Sequence, residues 1–112
     1  MQLSKQTEDA LCIVSVQEER IDAAVALAFK DAMRVQTDGC KDIVVLDLSE
    51  VQFIDSSGLG AIVSAMKNLG VERKMALAGL NPTVERVFQL TRMDTVFSVF
   101  TTVDGALAEL QH

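Results

Sequence analysis

Apolar residues fall into two alternating periodicities along this chain. Residues 11–16 (L-C-I-V-S-V) and 43–48 (I-V-V-L-D-L) are compact runs of strand formers. The second is nearly all apolar, as expected of a strand buried on both faces. Further strands are expected near Leu3, over residues 74–78 and, briefly, over residues 96–100. Between the strands the period lengthens to that of a helix. Ile21, Val25, Ala28 or Phe29, and Ala32, with Val35 closing the stripe, predict a helix over residues 22–36, with Asp22 as N-cap and Thr37-Asp38-Gly39 as its stop. Leu59, Ile62, Val63 and Met66 recur at i, i+3, i+4, i+7 and predict a helix over residues 57–69, ended by Gly70. Asn81-Pro82 opens a third helix, Asn as cap and Pro at the first helical position, with Val84, Val87, Phe88 and Thr91 on its inner face. Thr101 or Thr102 caps a last helix that ends near Leu110. Strands alternating with helices over short connections imply an α/β fold: a sheet of four or five mostly parallel strands with about four helices. No repeat, linker or low-complexity segment interrupts the 112 residues, so one domain is expected over residues 1–112.

The stretch between the second strand and the second helix, V51-Q-F-I-D-S-S-G-L-G60, departs from both periods. An acid, two hydroxyls and two glycines follow an apolar lead-in. That composition suits a tight strand-to-helix turn that leaves side chains exposed at a helix start. A helix N-terminus carries unpaired N–H groups and partial positive charge, so it accommodates an anion. Asp55, Ser56 or Ser57 can each cap it; a cap needs one oxygen, and three are present.

Composition narrows the classes. The chain is 49% hydrophobic, without Trp or Tyr, so the core is aliphatic with a few Phe. The net charge is −6; residues 1–50 carry five bases and ten acids, residues 51–112 five and six. That balance excludes a nucleic-acid partner, which requires a basic face, and suits a partner with a basic surface. The opening M-Q-L-S-K-Q has no apolar core of a signal peptide, and the longest apolar run, residues 23–29, falls short of the roughly 18 residues of a membrane span. A cytoplasmic protein with no membrane contact is expected. Cys12 and Cys40 lack metal-site spacing: Cys12 is expected in the core, Cys40 as an exposed thiol in a turn, with no disulfide between them.

Catalytic apparatus is missing from the sequence. The only histidine is His112, which leaves a Ser-His-Asp triad without a base. No G-x-S-x-G and no G-x-x-x-x-G-K-[ST] is present, and Gly58/Gly60 is too short for a dinucleotide fingerprint. Asp22, Asp47 and Asp55 can gather at strand ends, but three carboxylates without further ligands read as caps and solvated ends rather than a metal site. No catalytic residue, metal or cofactor is therefore assigned, and an enzyme using Ser56 or Asp55 as nucleophile is disfavoured. A compact acidic domain with one exposed hydroxyl turn reads as a binding module or a substrate of another enzyme.

The octapeptide F53-I-D-S-S-G-L-G60, preceded by V45-L-D-L48, resembles the signature of the STAS domain family and, within it, the bacterial anti-sigma factor antagonists. The similarity runs from about Leu11 to Leu110. The resemblance implies a STAS-like fold and a phospho-switch. On that resemblance, the unmodified protein is expected to bind a serine kinase/anti-sigma factor of the GHKL type and free its client, phosphorylation at Ser56, the first hydroxyl after the Asp, to end binding, and a PP2C-type phosphatase to reset it. Asp22, Asp55, Ser57, Gly58, Leu59 and Gly60 are then the partner-binding turn. Ser57, one step further in, is expected to face the first-turn N–H groups as a cap or first-turn contact. The alternative within the resemblance is a constitutive scaffold or adaptor subunit, for example of a lipid-transport ABC complex. Two positions depart from the family pattern. Glu19-Arg20-Ile21-Asp22 lacks the Gly that often opens this segment, and Thr91-Arg92-Met93-Asp94 places Arg92 where many relatives have Gly. Arg92 is strained if that position requires a positive φ.

Overall fold

A computed structural model describes residues 1–8 and 10–111. Its main sheet contains β1 (Leu3–Glu8), β2 (Leu11–Val16), β4 (Ile43–Asp47), β6 (Lys74–Ala78) and β7 (Ser98–Phe100) in the order β1-β2-β4-β6-β7. β1 pairs antiparallel with β2; every other pair is parallel. β1 and β7 are the two edges. β3 (Arg20–Ile21) and β5 (Phe53–Ile54) form a separate two-stranded parallel ladder. The helices are α1 (Ala26–Thr37), α2 (Ser56–Asn68), α3 (Pro82–Leu90) and α4 (Val103–Leu110), with a 3-10 turn over Met93–Thr95. Among the described residues no helix is long and apolar enough to cross a membrane.

The alternation of side chains along β4 divides the core in two. Val44 and Leu46 face Phe29 and Met33 of α1, Leu59 and Ile62 of α2, and Val84 and Phe88 of α3. Val45 faces the other way and packs with Ile13, Ala76 and Ala78 against Ala106 of α4. The nearly unbroken apolar run of β4 follows from these two coats, as its sequence predicts. Phe88 meets Phe97 edge to face, with ring centroids 6.0 Å apart, and so fastens α3 to the chain entering β7.

Several boundaries differ from expectation for identifiable reasons. β1 is a full six-residue strand, since a hairpin with β2 gives it a ladder that its polar sequence alone does not advertise. α1 starts at Ala26, not at residue 22. Asp22 accepts the Ala24 amide, 3.1 Å, and its carbonyl accepts the Val25 amide, so residues 22–25 close a turn instead of a helix. The buried stripe of α1 is Phe29, Met33 and Thr37, spaced by four. Val35 is 72% exposed: it lies six positions from Phe29 and points about 120° away from it. The buried Thr37 hydroxyl donates to the Met33 carbonyl, 2.7 Å. β7 starts at Ser98 because the 3-10 turn consumes the residues before it and leaves Val96 outside. Arg92 adopts φ 59°, ψ 21°, the left-handed conformation foreseen as a strain there, at a cost of about 1–2 kcal/mol for a residue with a Cβ.

The cysteine expectation is corrected. Cys40 is buried, and it is joined to Cys12 by a disulfide with Cα atoms 5.9 Å apart. Spacing in sequence conceals this pair. β2 and β4 are parallel neighbours, with Cys12 opposite Val44, and the turn after α1 brings Cys40 over Cys12 before β4 begins. The bridge spans a sequence separation of 28, for which chain entropy gives about 3–4 kcal/mol of stabilisation. Purified under air, the protein is expected to weigh two hydrogens less than its fully reduced form. Reduction, or a Cys12→Ala/Cys40→Ala pair, is expected to lower the urea-unfolding free energy by about 3 kcal/mol. Equal stability with and without reductant would remove this role for the pair.

Candidate functional site

The site is assembled where the small ladder delivers the chain into α2. Arg20 pairs with Phe53 and Ile21 with Ile54. Alternation sends both isoleucines into the core and both partners outward. On the outer side the Arg20 guanidinium lies 4.6 Å from the centre of the Phe53 ring, a cation–π contact, while its Nε donates to Asp22 Oδ2 at 3.2 Å. One residue after Ile54, Asp55 caps α2. Its Oδ1 accepts the Gly58 amide at 2.8 Å, and its Oδ2 accepts the Ala23 amide at 3.1 Å. One carboxylate thus fixes the helix start and ties it to the turn that precedes α1.

The cap is therefore Asp55, and α2 begins at Ser56, one residue earlier than expected. Of the three residues able to cap, Asp55 is the one used, and Ser57, expected as a cap or a first-turn contact, lies in the first turn without capping. Ser56 and Ser57 are the first two helical residues, both exposed, and neither hydroxyl has a hydrogen-bond partner among the described residues. The two glycines differ in purpose. Gly58 is buried, and a Cβ there would overlap the Ile21 carbonyl oxygen, so only glycine lets α2 approach β3 this closely. Gly60 is exposed, with open space around it. Leu59, between them, points into the core. The structure thus gathers Asp22, Asp55, Ser56, Ser57 and Gly58 at one corner; Leu59 supports it from beneath, and Gly60 lies on the outer surface of the helix.

Electrostatically the corner is mixed. The amino end of α2 offers partial positive charge to anything bonded to Ser56. Beside it lies a hollow of about 460 Å³ bordered by Glu18, Glu19, Arg20, Asp22 and Val25. Asp47 does not join this group. It accepts the Ser49 amide at 3.0 Å and the Ser15 hydroxyl at 3.3 Å. Among the described residues no three His, Cys, Asp or Glu side chains are arranged to hold a metal ion. His112 lies outside the described residues.

Two participants were not visible in the sequence. The first is the Arg20–Phe53 pair, whose contact exists only because the short ladder forms. The second is Asn81, which caps α3 through the Val84 amide and also donates from Nδ2 to the Val51 carbonyl at 3.0 Å, bracing the loop that leads into β5. An Asn-Pro pair signals the cap but not this second use. Glu19, where a glycine is frequent in the resembled pattern, accepts the amides of Gln52 and Phe53 through its carbonyl, 2.7 and 3.2 Å. It does so without a positive φ, so the missing glycine leaves the ladder intact.

A family model described as the STAS domain matches residues 2–106. A Thermotoga neapolitana protein, provisionally named an anti-sigma factor antagonist, is 39% identical over 69 residues, 61% of each chain. The match thus spans less than two thirds of that relative's length. The anti-sigma-B factor antagonist of Listeria monocytogenes is 32% identical over 80 residues, 70% of each chain. A crystal structure of an anti-sigma factor antagonist from Mycobacterium paratuberculosis superposes with a TM-score of 0.87 at 28% identity, over 99% of this chain and 94% of that one.

The glycine geometry makes a paired prediction. Gly58→Ala is expected to destabilise by about 1–3 kcal/mol, since the new methyl must displace the Ile21 backbone. Gly60→Ala, in open space on the same helix, is expected to stabilise by about 0.5–1 kcal/mol. Urea titrations of the two variants check this; equal effects would contradict the close approach.

Proposed function

The chain belongs to the STAS domain family, and from that premise we propose that it is a phosphorylation-controlled adaptor of the anti-sigma factor antagonist type. The unmodified protein binds a GHKL-type serine kinase that also holds a sigma factor or another client, and so frees the client. The kinase then phosphorylates Ser56, and the complex ends. A PP2C-type phosphatase restores the first state. The STAS domain acts in the cytoplasm, and it is a substrate rather than an enzyme.

The observation that carries this reading is the Ser56 hydroxyl, exposed at the first position of α2, immediately after a cap supplied by another residue. Because Asp55 already serves the helix, Ser56 is free to enter a kinase cleft in line with a γ-phosphate without unmaking the helix start. Its oxygen attacks phosphorus, ADP departs, and the hydroxyl proton passes to a base of the kinase. The product gains about −1.5 to −2 charges. In the free protein the amino end of α2 offsets part of that charge. Against an acidic group of a partner at ~5 Å, the same charge costs roughly 2 to 6 kcal/mol, taking effective dielectrics of 80 down to 20. Each 1.4 kcal/mol is about tenfold in affinity. A complex of ordinary strength dissociates while the fold persists.

Ser56→Ala is expected to stay folded, to bind the kinase and to resist release. Ser56→Asp, with a single negative charge, is expected to weaken binding only partly. Ser57→Ala is expected to retain phosphorylation and, since Asp55 is the cap, to keep stability within about 0.5 kcal/mol. A kinase assay with phosphosite mapping on the alanine variants checks all three. Phosphate on Ser57 of the wild-type protein, or undiminished labelling of Ser56→Ala, would overturn the assignment.

A further inference from the structure

The opposite end of α2 carries a second feature that the switch does not use. There the last turn of the helix, the turn at Gly70 and the first residues of β6 and β7 border an open groove of about 500 Å³. Its walls are apolar, formed by Met66, Val71, Met75 and Val96, with Val71 fully exposed and Val96 48% exposed. Lys67, Arg73 and Lys74 complete the lining, and no acidic residue contributes to it. In a chain of net charge −6 this is a local reversal of sign. Arg73 is held in place independently of any ligand. Its Nη1 donates to the carbonyls of Thr37 and Cys40, at 2.9 and 3.2 Å, and its Nε donates to that of Leu69 at 3.1 Å. Lys67 and Lys74 are exposed and form no ion pair among the described residues.

We propose that this groove is a binding site for a small anionic amphiphile, a single hydrocarbon chain ending in a carboxylate. Three properties converge on that class. The volume lies within the range of small-ligand clefts, about 300–1,000 Å³. The two methionines give walls that adapt to a flexible chain. The two free ammonium groups supply charge-assisted donors for a carboxylate head, and the guanidinium, its Nε and Nη1 engaged by backbone carbonyls, adds fixed positive charge; together they favour an anionic over a cationic head. α2 has 13 residues and is therefore about 20 Å long, so the ligand sits well away from Ser56.

The test is titration of isotope-labelled protein with dodecanoate below its micelle concentration, followed by amide shifts and calorimetry. Saturable one-to-one binding is expected, with shifts at Val71, Val96 and Met66 and none at residues 55–58. Dodecyltrimethylammonium, with the same chain and opposite charge, is expected to bind at least tenfold more weakly. Lys67→Glu/Lys74→Glu is expected to lose at least tenfold in dodecanoate affinity, about the effect of one lost charge-assisted contact. Val71→Asp, which adds an anion at the mouth without touching the core, is expected to do likewise with an unchanged melting curve. Ser56→Ala is expected to bind as the wild type does. Equal affinity for the two detergents, shifts located elsewhere, or no saturation would overturn the proposal. So would cosedimentation with phosphatidylglycerol vesicles, or binding of an acidic peptide, by a protein that ignores dodecanoate.

Discussion

The Asp55 carboxylate is the constraint on which the corner depends. Its two oxygens serve two amides 35 residues apart in the chain, those of Ala23 and Gly58. One bond starts α2 and the other stops the segment after β3 from continuing straight into α1. Both bonds hold α2 in the position where Gly58 seats closely on the Ile21 carbonyl. Cap, ladder and turn are thus one mechanical unit, and the serines ride on it without being part of it.

That separation would let the modification proposed at Ser56 be strong in its effects yet harmless to the fold. A hydroxyl used as a cap loses its role when esterified, and the helix frays with it. Here the capping oxygen belongs to a neighbour, so charge added at Ser56 meets the unmodified positive end of α2. The segment that Asp55 ties to the helix start, residues 17–25, carries Glu18, Glu19 and Asp22 beside Arg20, so the neighbourhood is mixed in charge rather than uniformly positive. A phosphate at Ser56, as proposed, would therefore alter what the surface repels more than what the interior holds.

Much of this was legible in the sequence because it is local. β2 and β6 are short apolar runs whose limits match expectation, and Asn81-Pro82 marks the start of α3 by the chemistry of one amide and one imide. Arg92 announced its strain by standing where glycine is frequent. What escaped is set by contacts between distant segments. The turn over residues 22–25 that delays α1 is closed by Asp22 itself, but its tie to the start of α2, Asp55 taking the Ala23 amide, joins segments far apart in the chain. The pairing of Cys12 with Cys40 depends on the strand order, and the Arg20–Phe53 contact on a ladder of two residues per strand. No window of sequence contains either partner set. For the same reason the cap could be narrowed to three neighbouring oxygens but not to one.

The two edges of the main sheet have a consequence for recognition. β1 displays exposed Ser4, Lys5, Gln6 and Thr7, and β7 offers only three residues before the chain turns away. Polar, lysine-bearing or very short edges discourage the addition of a further strand. Strand addition reads mainly backbone, with specificity left to a few alternate pockets. With that route blunted, an incoming protein must engage turns and helix ends, where side chains decide. Single surface residues at those turns and helix ends can then change what is recognised without cost to the sheet beneath.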